Sequence, residues 1–124
     1  MVSMISKSHR DPLIEELASR QLAAYNAADL DAFCACYHPD VVVLDADGRE
    51  SVRGAAAFRA RYESLFSRGG FGAEVPQRVV SGEHCVDYER YWREADEGQQ
   101  AVSGELLVRY RLRDDLIGEV QFFR

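Results

Sequence analysis

The apolar periodicity of this chain changes at Arg68-Gly69-Gly70, and that change constrains the fold more than any other feature of the sequence. Before it, apolar residues recur every three or four positions, as they do along one face of an amphipathic helix. After it, apolar and polar residues alternate with a period of two, which is typical of strands. Helices followed by a run of strands indicate an α+β protein, with the helices on one face of an antiparallel sheet.

The part before this change predicts three helices. The first begins at Asp11-Pro12, because aspartate caps helix N-termini and proline suits the first helical position. Asp29 caps a second helix, which ends before Pro39 because the residue preceding a proline is driven out of the helical region. The third helix follows Gly54 and has an apolar stripe that includes Phe58 and Tyr62.

One strand is predicted among these helices, at residues 40–46. Its residues are apolar on both faces up to Asp45, so we expect the strand to be covered on both sides. Asp45 closes this run. A carboxylate there is either a turn residue, which accepts backbone N–H groups within 45–48, or a working acid–base group.

Four further strands are predicted in hairpin succession, at residues 73–81, 84–94, 99–113 and 116–123. The expected core-facing residues of the last two are Val102, Leu106, Val108, Tyr110 and Leu112, then Leu116, Val120 and Phe122. A long bent sheet that is closed on one side by helices forms a cone. The interior of such a cone is a natural pocket for a small molecule.

Length and charge limit the classes of partner. The 124 residues predict one domain, which we place at 11–124, and we expect residues 1–10 to be a frayed or disordered leader. The formal net charge of −6 argues against nucleic-acid binding through a basic surface. No stretch approaches the roughly 20 apolar residues of a membrane span, so no membrane association is expected.

The cysteines and histidines do not predict a disulfide framework or a metal site. There are three cysteines, Cys34, Cys36 and Cys85, and an odd number favours reduced thiols in a cytoplasmic protein. They form no C-x-x-C pair, which makes a structural zinc site improbable. His9 and His38 lie in the leader and at an expected helix terminus.

Four segments carry a resemblance to a known family: AYNAADLDAF at 24–33, YHPDVVVLDADG at 37–48, RGAAAFRARYESLF at 53–66 and RLRDDLIGEVQFF at 111–123. The chain resembles the nuclear transport factor 2-like (NTF2-like) superfamily, in its SnoaL-like and ketosteroid-isomerase-like branch. The resemblance implies a cone of three N-terminal helices on a strongly curved, mostly antiparallel sheet, and a homodimer. Members include isomerases, polyketide cyclases, dehydratases, epoxide hydrolases and non-catalytic binding or dimerisation domains.

The resemblance also implies where catalytic residues would lie. In ketosteroid isomerases the general base is an aspartate just after the first strand, and Asp45 matches it. The oxyanion-hole tyrosine of that family falls at Gln21, and its protonated acid falls near Val108, so one of three catalytic positions is retained. Gln21 could face the pocket or be a structural amide with buried partners.

The strand at 84–94 is dense in polar and aromatic groups. It could form a pocket wall, with Glu89 or His84 as a second acid–base group beside Asp45. Alternatively, one face is core and the other packs on a dimer partner, since both faces carry aromatic residues. The predicted ligand-binding residues are Gln21, Tyr25, Phe58, Tyr62, Tyr88, Glu89 and Trp92.

Two functional hypotheses follow. In the first, the protein binds an apolar or aromatic small molecule and uses Asp45 as the base of a cofactor-independent isomerase, cyclase or dehydratase. In the second, it is a non-enzymatic ligand-binding or dimerisation module, Asp45 is a turn residue, and side chains fill the cone.

Overall fold

The computed structural model describes residues 10–124, so the predicted leader lies outside the described residues except for Arg10, where the first helix begins. The elements are α1 (Arg10–Asn26), α2 (Leu30–Cys34), β1 (Tyr37–Leu44), β2 (Glu50–Arg53), α3 (Ala55–Arg68), β3 (Phe71–Ser81), β4 (His84–Arg93), β5 (Val102–Arg113) and β6 (Leu116–Phe123). The α+β prediction is confirmed. None of the described helices is long and apolar enough to cross a membrane.

The six strands form one sheet in the order β2-β1-β6-β5-β4-β3. Strands β3 to β6 follow one another in antiparallel pairs, as predicted for a hairpin succession. The parallel pair joins β1 to β6, which brings an early strand into the middle of the sheet beside the last one. This arrangement places the inner faces of β4, β5 and β6 opposite the helices.

The start of β1 differs from the prediction. Helix α2 ends at Cys34 and β1 begins at Tyr37, so Tyr37 belongs to the strand and not to the helical stripe. Pro39 lies inside β1, where the pairing with β6 is interrupted between Tyr37 and Val42. Because proline has no backbone N–H to donate, the strand accepts it at a place where the ladder is broken.

Strand β2 was missed by the sequence analysis. Its four residues, ESVR, pair with β1 through Val42↔Arg53 and Val43↔Val52 at the edge of the sheet. Only Val52 among them is apolar, so the segment shows no alternation of apolar and polar residues that would predict a strand. The strand depends on its neighbour for its backbone hydrogen bonds.

The core-face prediction for β5 is confirmed at Leu106, Val108, Tyr110 and Leu112, which are all buried, whereas Val102 is 40% exposed. In β6 Val120 is buried as predicted, but near the start of the strand Ile117 is buried and Leu116 is only partly buried. The reason is a register shift: Tyr110 pairs with Val120, but Leu112 pairs with Ile117, so one extra residue reverses the alternation.

Aromatic rings pack against one another between the helices and the inner face of the sheet. Phe33 of α2 lies at centroid distances of 5.0–5.9 Å from the rings of Tyr25, Tyr37, Phe58, Tyr62 and Phe66. Asp29 caps this short helix by accepting the Ala32 N–H at 3.1 Å, as predicted. A five-residue helix has little stability alone, so the ring contacts of Phe33 hold α2 in place.

Candidate ligand-binding and acid–base site

A cavity of about 360 Å³ lies between the helices and the inner face of the sheet. This volume falls within the range typical of small-molecule sites. Much of its wall is aromatic or aliphatic, and includes Leu22, Tyr25, Phe33, Phe58, Tyr62 and Val120. The cone therefore contains space that side chains do not fill.

Strand β4 contributes its odd-numbered residues to this wall. Glu89, Tyr91 and Arg93 line the cavity, while Cys85 and Asp87 are buried further along the same face. The even-numbered residues lie on the opposite, outer face of the sheet. The alternation of a regular strand thus resolves which face of this segment is the pocket wall.

The predicted ligand-binding residues fall into two groups, one that lines the cavity and one that lies on the outer face of the sheet. Gln21, Tyr25, Phe58, Tyr62 and Glu89 line the cavity. Tyr88 and Trp92 do not, which corrects the expectation for these two. The Tyr88 hydroxyl donates a hydrogen bond to Glu105 at 2.8 Å on the outer face, where Trp92 is 43% exposed.

Asp45 lies outside the cavity lining and is exposed. Its carboxylate accepts the backbone N–H groups of Asp47 and Arg49, each at 3.0 Å. Its backbone N–H donates to the Arg49 carbonyl at 2.9 Å. These bonds form the turn between β1 and β2, and they are the geometry that the turn interpretation of Asp45 predicts.

Glu89 is the only carboxylate among the described residues that line the cavity. Burial and, second, the negative charge of Asp87 raise its pKa to about 7, while the positive charge of Arg124 acts in the opposite direction. Burial, with Glu89 as the next largest cause, raises the pKa of Tyr25 to about 12. His84, the other acid–base candidate, is exposed on the outer face, with Nδ1 at 3.4 Å from Arg109.

Asp87 is fully buried and forms a two-pronged ion pair with Arg78 of β3. The Arg78 Nε and Nη2 atoms donate to its two carboxylate oxygens at 2.6 and 2.9 Å. Arg78 also donates to the Ser19 hydroxyl of α1 at 2.6 Å. The pair ties α1 to the sheet and fixes a negative charge two residues from Glu89. Sequence analysis did not identify it, because β3 shows no sign that Arg78 turns inward.

Gln21 is buried and connects two tyrosines. Its Nε2 atom donates to the Ala18 carbonyl and to the Tyr110 hydroxyl, both at 3.0 Å, and its Oε1 atom accepts from the Tyr37 hydroxyl at 2.9 Å. Because a carbonyl oxygen only accepts, the amide nitrogen must face Ala18. The direction of both tyrosine hydrogen bonds follows from that one contact.

This network leaves one donor available to the cavity. The Tyr110 hydroxyl accepts from Gln21, and no described residue accepts its own proton. Burial raises the pKa of Tyr37 and Tyr110 well above the usual range, so both hydroxyls are neutral donors at ordinary pH. Tyr110 lines the cavity and can therefore donate a hydrogen bond to an oxygen of a bound molecule.

Neither tyrosine was among the predicted site residues. The alternation of β5 put Tyr110 on the core face, and a buried tyrosine hydroxyl needs a polar partner, so a signal for Tyr110 was present. Across the part of the chain that the structure describes, no group of three or more His, Cys, Asp or Glu side chains is placed to hold a metal ion.

Comparison with known proteins identifies the family. Residues 18–120 match the SnoaL-like domain. No curated protein shows significant similarity to the chain.

Solved structures share the fold. An uncharacterised cystatin-fold protein from Novosphingobium aromaticivorans is 24% identical, with a TM-score of 0.81 over 90% of this chain and 97% of that one. RV0760c from Mycobacterium tuberculosis, in complex with estradiol-17β-hemisuccinate, is 15% identical, with a TM-score of 0.79 over 90% and 93%. An NTF2-like protein of unknown function from Burkholderia pseudomallei is 15% identical, with a TM-score of 0.75 over 90% and 91%. The chain has the NTF2-like fold and belongs to the SnoaL-like domain family.

Proposed function

We propose that the protein binds a largely apolar or aromatic small molecule in the cavity and catalyses a cofactor-independent proton transfer on it, with Glu89 as the acid–base group. The observation that carries this proposal is the position of Glu89: a half-buried carboxylate with a pKa of about 7 in a cavity that aromatic, aliphatic and arginine side chains line. A group with this pKa is present in both protonation states near neutral pH, which is the condition for efficient general acid–base catalysis.

Tyr110 supplies the second element of the proposed chemistry. In the ionised form, Glu89 takes a proton from a carbon next to a substrate carbonyl; the electron pair of that C–H bond becomes the C=C bond of an enolate, and the π pair of the carbonyl moves to its oxygen. The Tyr110 hydroxyl donates a hydrogen bond to the oxygen that becomes negative. Glu89 then returns the proton to the same carbon, which gives proton exchange, or to the far end of a C=C bond conjugated with the enolate, which gives an isomerisation.

The proposal assigns the base to Glu89 and not to Asp45. Asp45 is outside the cavity and its carboxylate is occupied by the turn. A flat polycyclic ligand is supported by the structural neighbour RV0760c, which was solved in complex with estradiol-17β-hemisuccinate. The aromatic wall of the present cavity offers the same kind of contact surface.

The test is enzyme-dependent exchange of the α-protons of 2-tetralone, a bicyclic ketone, followed by NMR in deuterated buffer. We expect exchange above the buffer rate, with a half-maximal rate near pH 7. Glu89→Gln should reduce it about 100-fold or more, because the base is removed. Tyr110→Phe should reduce it about 10- to 100-fold, since one donor to the developing negative charge is lost.

The matched control is Glu105→Gln, which removes an exposed carboxylate on the outer face of the sheet. It should leave the exchange rate unchanged. Saturable 2-tetralone binding without any exchange above the buffer rate would instead support the second function, a non-enzymatic binding protein. The cavity itself favours ligand binding in either case and argues against a cone filled by side chains.

We also propose that the protein is a homodimer that pairs through the outer face of the sheet. Tyr88, Leu107 and Phe123 are cross-strand neighbours there, and Leu107 is 45% exposed. Arginine and glutamate side chains on the same face, such as Arg90 and Glu105, offer complementary charges to a second copy. The odd number of free thiols agrees with the proposed cytoplasmic location.

A further inference from the structure

The cavity has a buried end and an exposed end. Gln21, Phe33, Tyr37, Phe58 and Tyr110 form the buried end, whereas Arg61, Ser64, Arg68 and Gln99 are exposed. The mouth therefore lies between α3 and the segments that follow β4 and β6. Residues 61 and 68 are seven positions apart on α3, so both arginines face the same side of that helix.

Positive charge is concentrated at this mouth. Four arginines line the cavity, at positions 61, 68, 93 and 124, against the single carboxylate of Glu89. The chain as a whole has a formal net charge of −6, so this concentration opposes the overall balance. A cavity mouth with an excess of positive charge attracts negatively charged ligands.

Only Arg68 is neutralised by a carboxylate, through Asp96 at 3.1 Å. Arg61 and Arg93 form no ion pair with any carboxylate in the described part of the chain. Arg61 donates to the Ser51 hydroxyl at 3.1 Å and its guanidinium lies 5.9 Å from the centre of the Phe122 ring. Arg124 lies over the same ring at 5.5 Å. Arg61 and Arg124 are thus both held at the mouth by the Phe122 ring, a neutral partner.

We infer that the ligand is an organic carboxylate whose apolar or aromatic body occupies the cavity and whose carboxylate is bound at the mouth by Arg61, Arg93 and Arg124. Guanidinium groups bind carboxylates through two parallel hydrogen bonds and suit this role better than lysine. Glu89 opposes a second negative charge in the interior. The ligand therefore enters with its apolar end first, which brings that end to Glu89 and Tyr110.

This inference rests on the proposed function, since it concerns the same cavity. The test compares 2-naphthylacetate with 2-naphthylacetamide, two probes of nearly equal size that differ in charge, by isothermal titration calorimetry. We expect the wild-type protein to bind the carboxylate about tenfold more tightly than the amide. Added sodium chloride should reduce that difference, because it screens the exposed arginines.

Single-residue variants show which arginines cause the preference for the carboxylate probe. Arg61→Gln and Arg93→Gln should each weaken binding of the carboxylate about five- to tenfold and leave the amide unchanged. The control is Arg20→Gln, which lies on the exposed side of α1, outside the cavity lining, and pairs with Glu16 at 3.1 Å. It should change neither affinity.

The outcomes separate the two proposals. Equal affinity of the wild-type protein for both probes overturns the carboxylate inference and leaves the binding function standing. If the arginine variants lose affinity for both probes equally, the carboxylate inference is also overturned, because the substitution has then changed the shape of the cavity and not a contact with the carboxylate. Failure of both probes to bind contradicts the binding function, and the inference fails with it.

Discussion

Glu89 is a carboxyl group that folding partly removes from water. Its pKa rises from the ordinary value of 4.5 to about 7, with burial as the largest cause. Between these two pH values the folded protein holds a proton that the unfolded chain has released, so stability falls as pH rises through this interval and levels off above it. At about 1.4 kcal/mol per pKa unit, the loss is at most about 3.5 kcal/mol, and solvent screening of a partly exposed group reduces it.

We therefore expect Glu89→Gln to be more stable than the wild type at pH 8, by about 2 kcal/mol, because the neutral amide has no ionised form to bury. Near pH 4.5 the two proteins should be equally stable. Urea unfolding at both pH values measures the difference. Glu16→Gln, on the exposed side of α1, serves as the control, and a difference between wild type and Glu89→Gln that is constant with pH would contradict the shifted pKa.

The sequence predicted part of the cavity wall and gave two carboxylate candidates for its chemistry, Asp45 and Glu89. Tyr25, Phe58 and Tyr62 were predicted because helical periodicity reports which face is buried. Asp45 was ambiguous because the same carboxylate serves a turn or a reaction, and only its hydrogen bonds distinguish the two. Gln21 and the core-facing position of Tyr110 were predicted too, but the hydrogen bond that joins them spans 89 positions, which no local pattern reports.

Strand β4 is the element that holds the site together. One face carries Asp87 and Glu89 toward the helices, and the other carries Tyr88 and Trp92 outward. The buried Asp87 is bound to Arg78 of the neighbouring strand, so the position of Glu89 depends on an ion pair without solvent access to its acidic partner. A buried pair of this kind is sensitive to the loss of either member.

We expect Arg78→Met to lower the free energy of unfolding by about 3 kcal/mol, because it leaves Asp87 charged and buried without a partner. The double variant Arg78→Met, Asp87→Leu should recover much of that loss, since the charge is then removed as well. Urea unfolding of the wild type, both single variants and the double variant forms the required cycle. Additive effects of the two substitutions would contradict the coupling.

The order of elements could be read from periodicity, except where backbone pairing matters more than side-chain pattern. Edge strand β2 has one apolar residue and exists through its pairing with β1. Pro39 indicated a helix end, yet it lies in a strand at a gap in the ladder. The extra residue in β6 exchanged Leu116 for Ile117 in the core. Each of these depends on a neighbouring strand that is distant in sequence.

The whole molecule presents two surfaces of different character, a concave one around the cavity and a convex one on the outer sheet. The convex surface exposes Val79, Trp92, Leu107 and Phe123 at 36–67% of their area. Leu107 and Phe123 are directly paired across strands, and exposed apolar neighbours of this kind are typical of a surface that another protein covers. The proposed second copy would bury them and leave both cavities open.

We expect sedimentation equilibrium to give about twice the chain mass of 14.0 kDa. Leu107→Glu should shift the protein to the single-chain mass, because a charge would be buried in the centre of the contact. Ala60→Glu, on the exposed side of α3, is the control and should remain a dimer. A wild-type protein that sediments at 14.0 kDa at all concentrations would overturn the homodimer.

The central place of β6 also sets the order in which the protein can fold. Strands β1 and β2 are made early and β3 to β5 later, but the two groups are joined only through β6, which is synthesised after all of them. Until β6 is inserted, β1 and β5 each present an open edge to other chains. Before β6 is in place, the strands can therefore form only two separate half-sheets, and the cavity wall lacks Val120 and Phe122, the residues that β6 contributes to it.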